Sequence, residues 1–324
     1  MTRRLSLEEA TGLAARAGRV AGLSDAAALA LARATVSANA HGKGSSGFSH
    51  FIDYLSAARA GRIVGDAEPV LSSPAPAMIH CDARGGIAQL GFDRAFDDLR
   101  RRALTFGIAL FAGKGSYTTG ELGYYPRRLA EAGLVAFAAT SGPALMTVKG
   151  AKKPIYCTNP IAFAAPLDDG APLLIDQASS ATAFVQLRHY AERGEALPPG
   201  WAVDADGEPT ADPKAALRGA LLAFGGARGA NIALMVEVMA AGLTGANWAL
   251  DAPSFTSGDR PPGSGLLVIA IAPALLAPDF PNRLRAQLDR LDKLGVHIPG
   301  RRAPAAEIEL PDALFSEIER AGAA

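Results

Sequence analysis

The sequence predicts an α/β fold organised as two domains. Beyond residue 86, short apolar runs alternate with helical patterns, as strands packed against helices require. Ahead of them, roughly the first 75 residues read as one helix after another. The length, 324 residues, exceeds the ~100–200 residues of one domain. The alternation leaves the strand order open.

Taken in order, Ser6-Leu7-Glu8-Glu9 is a capping box: the Ser6 hydroxyl accepts from the Glu9 amide and the Glu9 carboxylate reaches back, opening a helix to about Arg16. Ser24-Asp25 opens an alanine-rich helix to about Ala40. A third runs from about Phe48 to Ala60, with Phe51, Tyr54, Leu55 and Ala58 at helical spacing, and Gly61 stops it. The Pro/Ser stretch Ser72–Pro76 reads as a boundary. After it come apolar runs at Gly86–Gly91, Ile108–Ala112, Leu134–Thr140, Ile161–Ala165 and Leu173–Asp176. Helical patterns at Arg94–Phe106 and Leu122–Ala132 are interleaved with them. Helices then follow around Ala181–Gly194 and Pro213–Leu222. Gly229–Gly242 is apolar almost all round, with Glu237 its only charge, and so predicts a buried helix. Gly265–Pro278 reads as a buried strand entering a loop, followed by helices at Asn282–Leu294 and near Ala313–Arg320.

The composition excludes several classes of function. Lys and Arg number 32 against 32 Asp and Glu, and no basic stripe offers the phosphate neutralisation on which nucleic-acid affinity rests. Gly265–Pro278 is the longest apolar run; it falls short of the ~20 residues that span a bilayer, and Pro273 interrupts it, so no membrane partner is expected. Cys81 and Cys157 are too few and too far apart for a disulfide framework or a four-ligand zinc site, and no histidine sits in a metal spacing. No metal is expected. The N-terminus MTRRLSLEEA lacks an apolar export segment, which gives a cytoplasmic location by default. Proton transfer near neutrality falls to five histidines: His41, His50, His80, His189 and His297.

Four segments carry chemistry. Ala223–Gly229 precedes the apolar helix; its glycines, the helix N-terminus and Arg228 make an anion cradle, though a flexible loop with a surface arginine fits the same letters. Asp176-Gln177-Ala178-Ser179-Ser180 ends an apolar run, so its carboxylate and hydroxyls either orient a ribose or amide, or cap a helix. Thr158-Asn159-Pro160 is a ligand contact or an Asx-type turn. In the glycine-rich link Ala40–Gly47, His41, Lys43 and Ser46 either converge on a site with His50 or line an exposed loop. Ser45-Ser46-Gly47 lacks the Gly-x-Ser-x-Gly elbow, which disfavours a serine nucleophile.

Read in chain order, five segments together resemble the malate/L-lactate dehydrogenase-like family of NAD(P)-dependent oxidoreductases, of the ureidoglycolate dehydrogenase and Δ1-piperideine-2-carboxylate reductase type. They are Gly123-Tyr124-Tyr125, Cys157–Pro166, Asp176–Ser180, Gly200-Trp201-Ala202 with Asp206-Gly207, and Gly225–Gly229 running into Ala233–Glu237. The resemblance covers most of the chain, from Gly42 to Gly300. It implies a non-Rossmann NAD(P)-binding core at 76–276 and a helical substrate domain built from both chain ends, 1–75 plus 277–324, usually in a homodimer. NADP or NAD is the implied cofactor and a small carboxylate the implied substrate. Thr158, Asn159, Asp176, Ser179, Ser180, Gly225, Gly226 and Arg228 fall where such enzymes hold the dinucleotide, with Arg228 and Gln186 each replacing a usual lysine.

The chemistry departs from the family pattern. Its Ser-His-Gly reads Ser45-Ser46-Gly47, its substrate-binding arginine is His50, and the histidine of its Asn-His-x-Gly is Thr118. Unassisted serine or threonine cannot take an alcohol proton near neutrality, which disfavours a plain malate or lactate dehydrogenase. Three readings follow. A cyclic imine brings its own proton and tolerates the loss; or proton transfer has moved to His50, His41, Lys43 or Tyr124; or hydride transfer is gone, leaving a lyase, isomerase or ligand-binding protein. The working expectation is an NAD(P)H-dependent reductase of a small 2-imino acid, a cyclic ketimine carboxylate, or a 2-oxo acid. In it Ser46 and Thr118 hydrogen-bond the reacting atom, His50 or Lys43 holds the carboxylate, and Tyr124 shapes the pocket.

Overall fold

The computed structural model describes residues 2–168, 170–300 and 303–323. The chain opens with β1 (Thr2–Ser6), α1 (Leu7–Val20), α2 (Asp25–Ala40) and α3 (Phe48–Arg59). The capping box forms: the Glu9 amide donates to Ser6 Oγ at 3.2 Å and the Ser6 amide to Glu9 Oε2 at 2.8 Å. The start of α3 is capped from α2, where Asn39 Oδ1 accepts from the Phe48 amide at 2.8 Å. Gly47 comes so close that a Cβ there would stand 1.9 Å from that oxygen. This contact fixes the 41–47 loop between two packed helices.

Next come β2 (Val70–Ala75), β3 (Met78–Asp82), α4 (Ala88–Phe106), β4 (Ile108–Ser116), α5 (Tyr124–Glu131), β5 (Val135–Ser141), β6 (Met146–Thr147), β7 (Ile161–Ala165) and β8 (Leu173–Gln177). Then follow α6 (Phe184–Arg193), β9 (Ala202–Val203), β10 (Pro209–Thr210), α7 (Pro213–Arg218), β11 (Ala220–Leu222) and α8 (Ala227–Glu237), which continues as a π turn, Val238–Gly242. β12 (Ser264–Ile271), α9 (Phe280–Lys293), β13 (Glu307–Pro311) and α10 (Asp312–Ala321) complete the chain.

The main sheet has seven strands in the order β2-β3-β4-β12-β5-β7-β8. Only β3 and β4 run parallel in it; every other neighbouring pair is antiparallel. β12 sits at its centre because Leu266, Leu267, Val268 and Ala270 are all buried, as a strand covered on both faces demands. A second sheet, β10-β9-β11-β6, carries its own small core with Leu187 of α6 and Ala216 of α7. β13 pairs antiparallel with β1, from Thr2 opposite Pro311 to Ser6 opposite Glu307. The chain ends therefore meet, and Ile308, Leu310, Phe315 and Ile318 join the core of α1, α2 and α3.

Three expectations of secondary structure and burial are corrected. Gly86–Gly91 is not a strand: Ala88 begins α4, and the apolar letters are its buried face, a distinction periodicity cannot make over so short a run. The Pro/Ser stretch Ser72–Pro76 lies largely in the edge strand β2, a place in a sheet that tolerates proline. The helix expected over Pro213–Leu222 stops at Arg218, and Ala220–Leu222 is β11. Finally, the apolar segment at 229–242 is buried on one side only, leaving Leu234 51%, Met235 45% and Val238 47% exposed.

Candidate active site

Two of the three substituted positions, His50 and Thr118, meet in one hydrogen-bonded chain. His50, on the first turn of α3, places Nδ1 2.9 Å from Asp53 Oδ2 and Nε2 3.3 Å from Thr118 Oγ1. Thr118 follows β4, and its hydroxyl donates to the Tyr54 oxygen at 2.7 Å. Tyr54 in turn donates to the Thr118 carbonyl at 3.1 Å and accepts from Gln89 Nε2 at 3.0 Å. From α6, Arg188 reaches Asp53 Oδ2 at 2.8 Å. Burial pushes the Asp53 carboxyl up, but hydrogen bonds and charge from His50 and Arg188 outweigh it and hold the group below its ordinary value. Burial, helped by the Asp53 charge, raises the Tyr54 phenol to about 12, so it stays protonated.

The loop that carries Thr118 also leads to a second centre. Five residues on, the Gly123 amide donates to Asp176 Oδ2 at 2.9 Å, placing the end of β8 against this loop. Beside it Glu121 and Arg127 form a bidentate pair, 2.9 Å in both contacts, with both side chains 2% exposed. Burial and the Glu121 charge raise Asp176 to about 6, against the pull of the Gly123 amide, Lys43 and Arg127. Lys43 thus faces Asp176 electrostatically while His50, from the other end of the same loop, faces Thr118.

A pH test follows. A carboxyl raised from 3.8 to about 6 on folding contributes stability below its unfolded value that is lost as pH rises through about 6. Asp176→Asn is therefore expected to stabilise the protein at pH 7, by up to about 3 kcal/mol, with the difference vanishing near pH 4. Denaturant melts at both pH values measure it.

Beyond Asp176 three loops are stitched together: the Ser179 amide donates to the Thr158 carbonyl at 2.8 Å and the Phe224 amide to the Ser179 carbonyl at 3.0 Å. Gly225 and Gly226, with φ of 56° and 61°, turn the chain into α8, and a Cβ on either would meet nothing within 4 Å. No side chain caps α8, and Arg228 lies exposed in its first turn. His50, Thr118, Asp176 and this glycine turn therefore follow one another along a continuous set of contacts. The profile of the family described as Malate/L-lactate dehydrogenase matches residues 5–310. The chain belongs to that family.

Similar proteins include (2R)-3-sulfolactate dehydrogenase (NADP(+)) of Chromohalobacter salexigens, 37% identical over 98% of this chain and 98% of that protein. Another is Delta(1)-pyrroline-2-carboxylate/Delta(1)-piperideine-2-carboxylate reductase of Pseudomonas aeruginosa, 35% identical over 97% of this chain and 98% of that protein. Among solved structures, delta1-piperideine-2-carboxylate reductase from Pseudomonas syringae pvar. tomato superposes with a TM-score of 0.93 at 34% identity, covering 98% of this chain and 99% of that one.

In this malate/L-lactate dehydrogenase family member several expected site residues have partners within the scaffold. Tyr124 is buried in the main core, and its hydroxyl accepts from Arg128 at 3.1 Å. Asn159 is fully buried, its amide donating to the Ala233 carbonyl at 2.8 Å and to Glu237 Oε2 at 2.9 Å. Ser179 donates to the Asn159 carbonyl at 2.7 Å and Ser180 to the Thr182 carbonyl at 2.6 Å, so these three side chains hold the loops rather than face outward. Glu237 is anchored further by Ser141 at 2.8 Å and the Ala249 amide at 2.7 Å. The Thr158 hydroxyl turns to the Cys157 thiol, which burial raises above its ordinary value. Ser46 is half-buried in the turn into α3, and Gln186 is exposed on α6. His41 binds the Ser37 carbonyl at 2.8 Å and takes no part in the His50 chain. Among the described residues no three His, Cys, Asp or Glu side chains are placed to hold a metal ion.

Sequence reasoning passed over Asp53, Gln89, Glu121, Arg127 and Arg188. Asp53 had a signal, since it stands three residues after His50 on one helix face. Gln89 and Arg188 reach the site from distant segments, and nothing local marks them.

Proposed function

We propose that this chain is an NAD(P)H-dependent oxidoreductase that reduces a small 2-imino carboxylate, foremost a cyclic ketimine acid, or a 2-oxo acid. The observation that carries this reading is the run of contacts joining His50 and Thr118, through the 118–123 loop and Asp176, to the glycine turn before α8. The open glycine turn, the uncapped helix start and exposed Arg228 suit the pyrophosphate of a dinucleotide, and Asp176 suits its ribose or amide. The similar proteins, one an NADP(+) sulfolactate dehydrogenase and one a reductase of cyclic imino acids, point to the same chemistry. When bound, the reduced nicotinamide supplies the hydride. The chain's part is to hold the substrate carboxylate through Lys43, hydrogen-bond the reacting nitrogen or oxygen through Thr118 and Ser46, and supply a proton where the substrate lacks one.

Support for a cofactor core at 76–276 outside the Rossmann class is the mostly antiparallel main sheet; support for a helical domain at 1–75 plus 277–324 is the pairing of β1 with β13. Exposed Leu234, Met235, Val238 and Leu243 form an apolar face on an otherwise core-like helix, and we assign it to a second copy of the chain. Leu243→Asp is expected to halve the mass in solution; a wild type that already has the monomer mass contradicts the homodimer, and a dimer mass that the substitution leaves unchanged contradicts this face as its contact. A cytoplasmic location suits the two free cysteines, and among the described residues no helix is long and apolar enough to cross a membrane. Arg228→Ala is expected to weaken NADPH or NADH binding by about tenfold, as loss of a charge-assisted contact does. Fluorescence titration checks it. Reduction with a dinucleotide deuterated on its transferring position tests the reading itself, because the product should then carry one deuterium at C2; product without deuterium contradicts it.

A further inference from the structure

We propose that Asp53, His50, Thr118 and Tyr54 form a two-state proton relay in which His50, as an imidazolium, is the acid that the family's absent histidines would supply. The inference rests on the reductase reading and narrows its substrate class to neutral imino and oxo acids, which need a proton when hydride arrives.

Counting protons fixes the states. Asp53 is a carboxylate and only accepts, so His50 Nδ1, 2.9 Å away, carries a hydrogen. Tyr54 has one proton, directed at the Thr118 carbonyl, which also only accepts. Thr118 gives its own proton to the Tyr54 oxygen at 2.7 Å, beside the amide of Gln89 at 3.0 Å. The face of Thr118 Oγ1 toward His50 Nε2 is then an acceptor, and Nε2 carries a hydrogen too. Both ring nitrogens donate, which is the imidazolium. Rotating two hydroxyls makes the other state. Tyr54 then donates to Thr118 Oγ1, Thr118 donates to Nε2, and the ring is neutral with Nδ1 still protonated on Asp53. No heavy atom moves between them.

The proton balance is complete. Hydride adds to C2 and the C=O or C=N π pair moves onto oxygen or nitrogen. With substrate present the Thr118 hydroxyl hydrogen turns from the Tyr54 oxygen, which keeps its bond from Gln89, to that atom; the atom takes this proton, Thr118 takes the Nε2 proton, and the N–H pair stays on the ring as neutral imidazole. The two electrons come from the reduced nicotinamide and the proton from His50, which water restores. The charged and titratable groups around His50 are Asp53 and Tyr54 from α3 and, through Asp53, Arg188 from α6. Because Asp53 Oδ2 serves both cations, Arg188 weakens the hold of Asp53 on the imidazolium and lets the proton leave.

Nitrogen-15 NMR of the histidine side chains in the ligand-free full chain, with His50 assigned by loss of its signals in His50→Gln, tests the relay without substrate. The expected result is loss of the Nε2 proton on titration, leaving an Nδ1–H tautomer. Asp53→Asn should abolish the preference for the Nδ1–H tautomer, because an amide can donate to Nδ1 as well as accept from it. An Nε2–H tautomer, or an Nδ1–H preference indifferent to Asp53→Asn, overturns the relay. Thr118→Val should lower turnover of a 2-oxo acid by ~10²-fold, with NADPH affinity unchanged; full turnover also overturns the relay. An Nδ1–H tautomer without turnover of any acid supports the proton geometry and counts against the reductase reading, so the two fail separately.

Discussion

Replacing His50 with glutamine is expected to lower kcat/KM for a 2-oxo acid by ~10²–10⁴-fold while leaving the affinity for reduced dinucleotide unchanged. Glutamine keeps a hydrogen-bond donor near Thr118 but cannot deliver a proton, so the loss isolates acid catalysis from positioning. A cyclic iminium substrate brings its proton with it, and there the same substitution should matter much less. Because the acid form is the active one, wild-type turnover of the oxo acid should fall with rising pH, and the variant should lose that limb. Steady-state kinetics on both substrates across pH measure these differences. Equal losses on both substrates would place His50 in carboxylate binding instead, the role first expected for it.

Arg127→Ala is expected to cost about 3–5 kcal/mol of stability, the scale for stripping one partner from a buried ion pair. Glu121 would be left buried without its two 2.9 Å contacts, and α5 would lose the 2.9 Å bond from Arg127 to Ser37 Oγ of α2. The loss should also reach Asp176. Arg127 helps hold that carboxyl down and Glu121 pushes it up, so Arg127→Ala moves Asp176 above about 6 while Glu121→Gln moves it below. Denaturant unfolding measures the first effect, and NMR titration of the Asp176 carboxyl measures the second. Opposite shifts in the two variants identify the pair as the source of the field around Asp176.

The parts of the fold that local chemistry decides were legible. The Ser6 capping box, the helix over Asp25–Ala40 and the strand Ile161–Ala165 stand where caps, composition and apolar runs put them. Where a short apolar run had two solutions, as at Gly86–Gly91, burial against neighbours decided, and neighbours are not local. The segment at 229–242 looked like core because its letters lack polarity, yet one chain covers only part of it. At the site, motif positions marked the loops around Thr158, Asp176 and Gly225 but not which of their side chains face outward. Asn159 and Ser179 are polar because the loops need internal donors, a demand that reads like ligand binding until partners are seen. The substitution of family histidines by Ser46 and Thr118 looked like a loss; the fold sets His50 and Asp53 behind Thr118 instead.

The most direct test mixes the purified protein with NADPH or NADH and a panel of cyclic imino acids and 2-oxo acids while following the absorbance of the reduced nicotinamide. The expected result is consumption of one dinucleotide per Δ1-piperideine-2-carboxylate or Δ1-pyrroline-2-carboxylate reduced. Saturable dinucleotide binding without consumption on any member of the panel would contradict it.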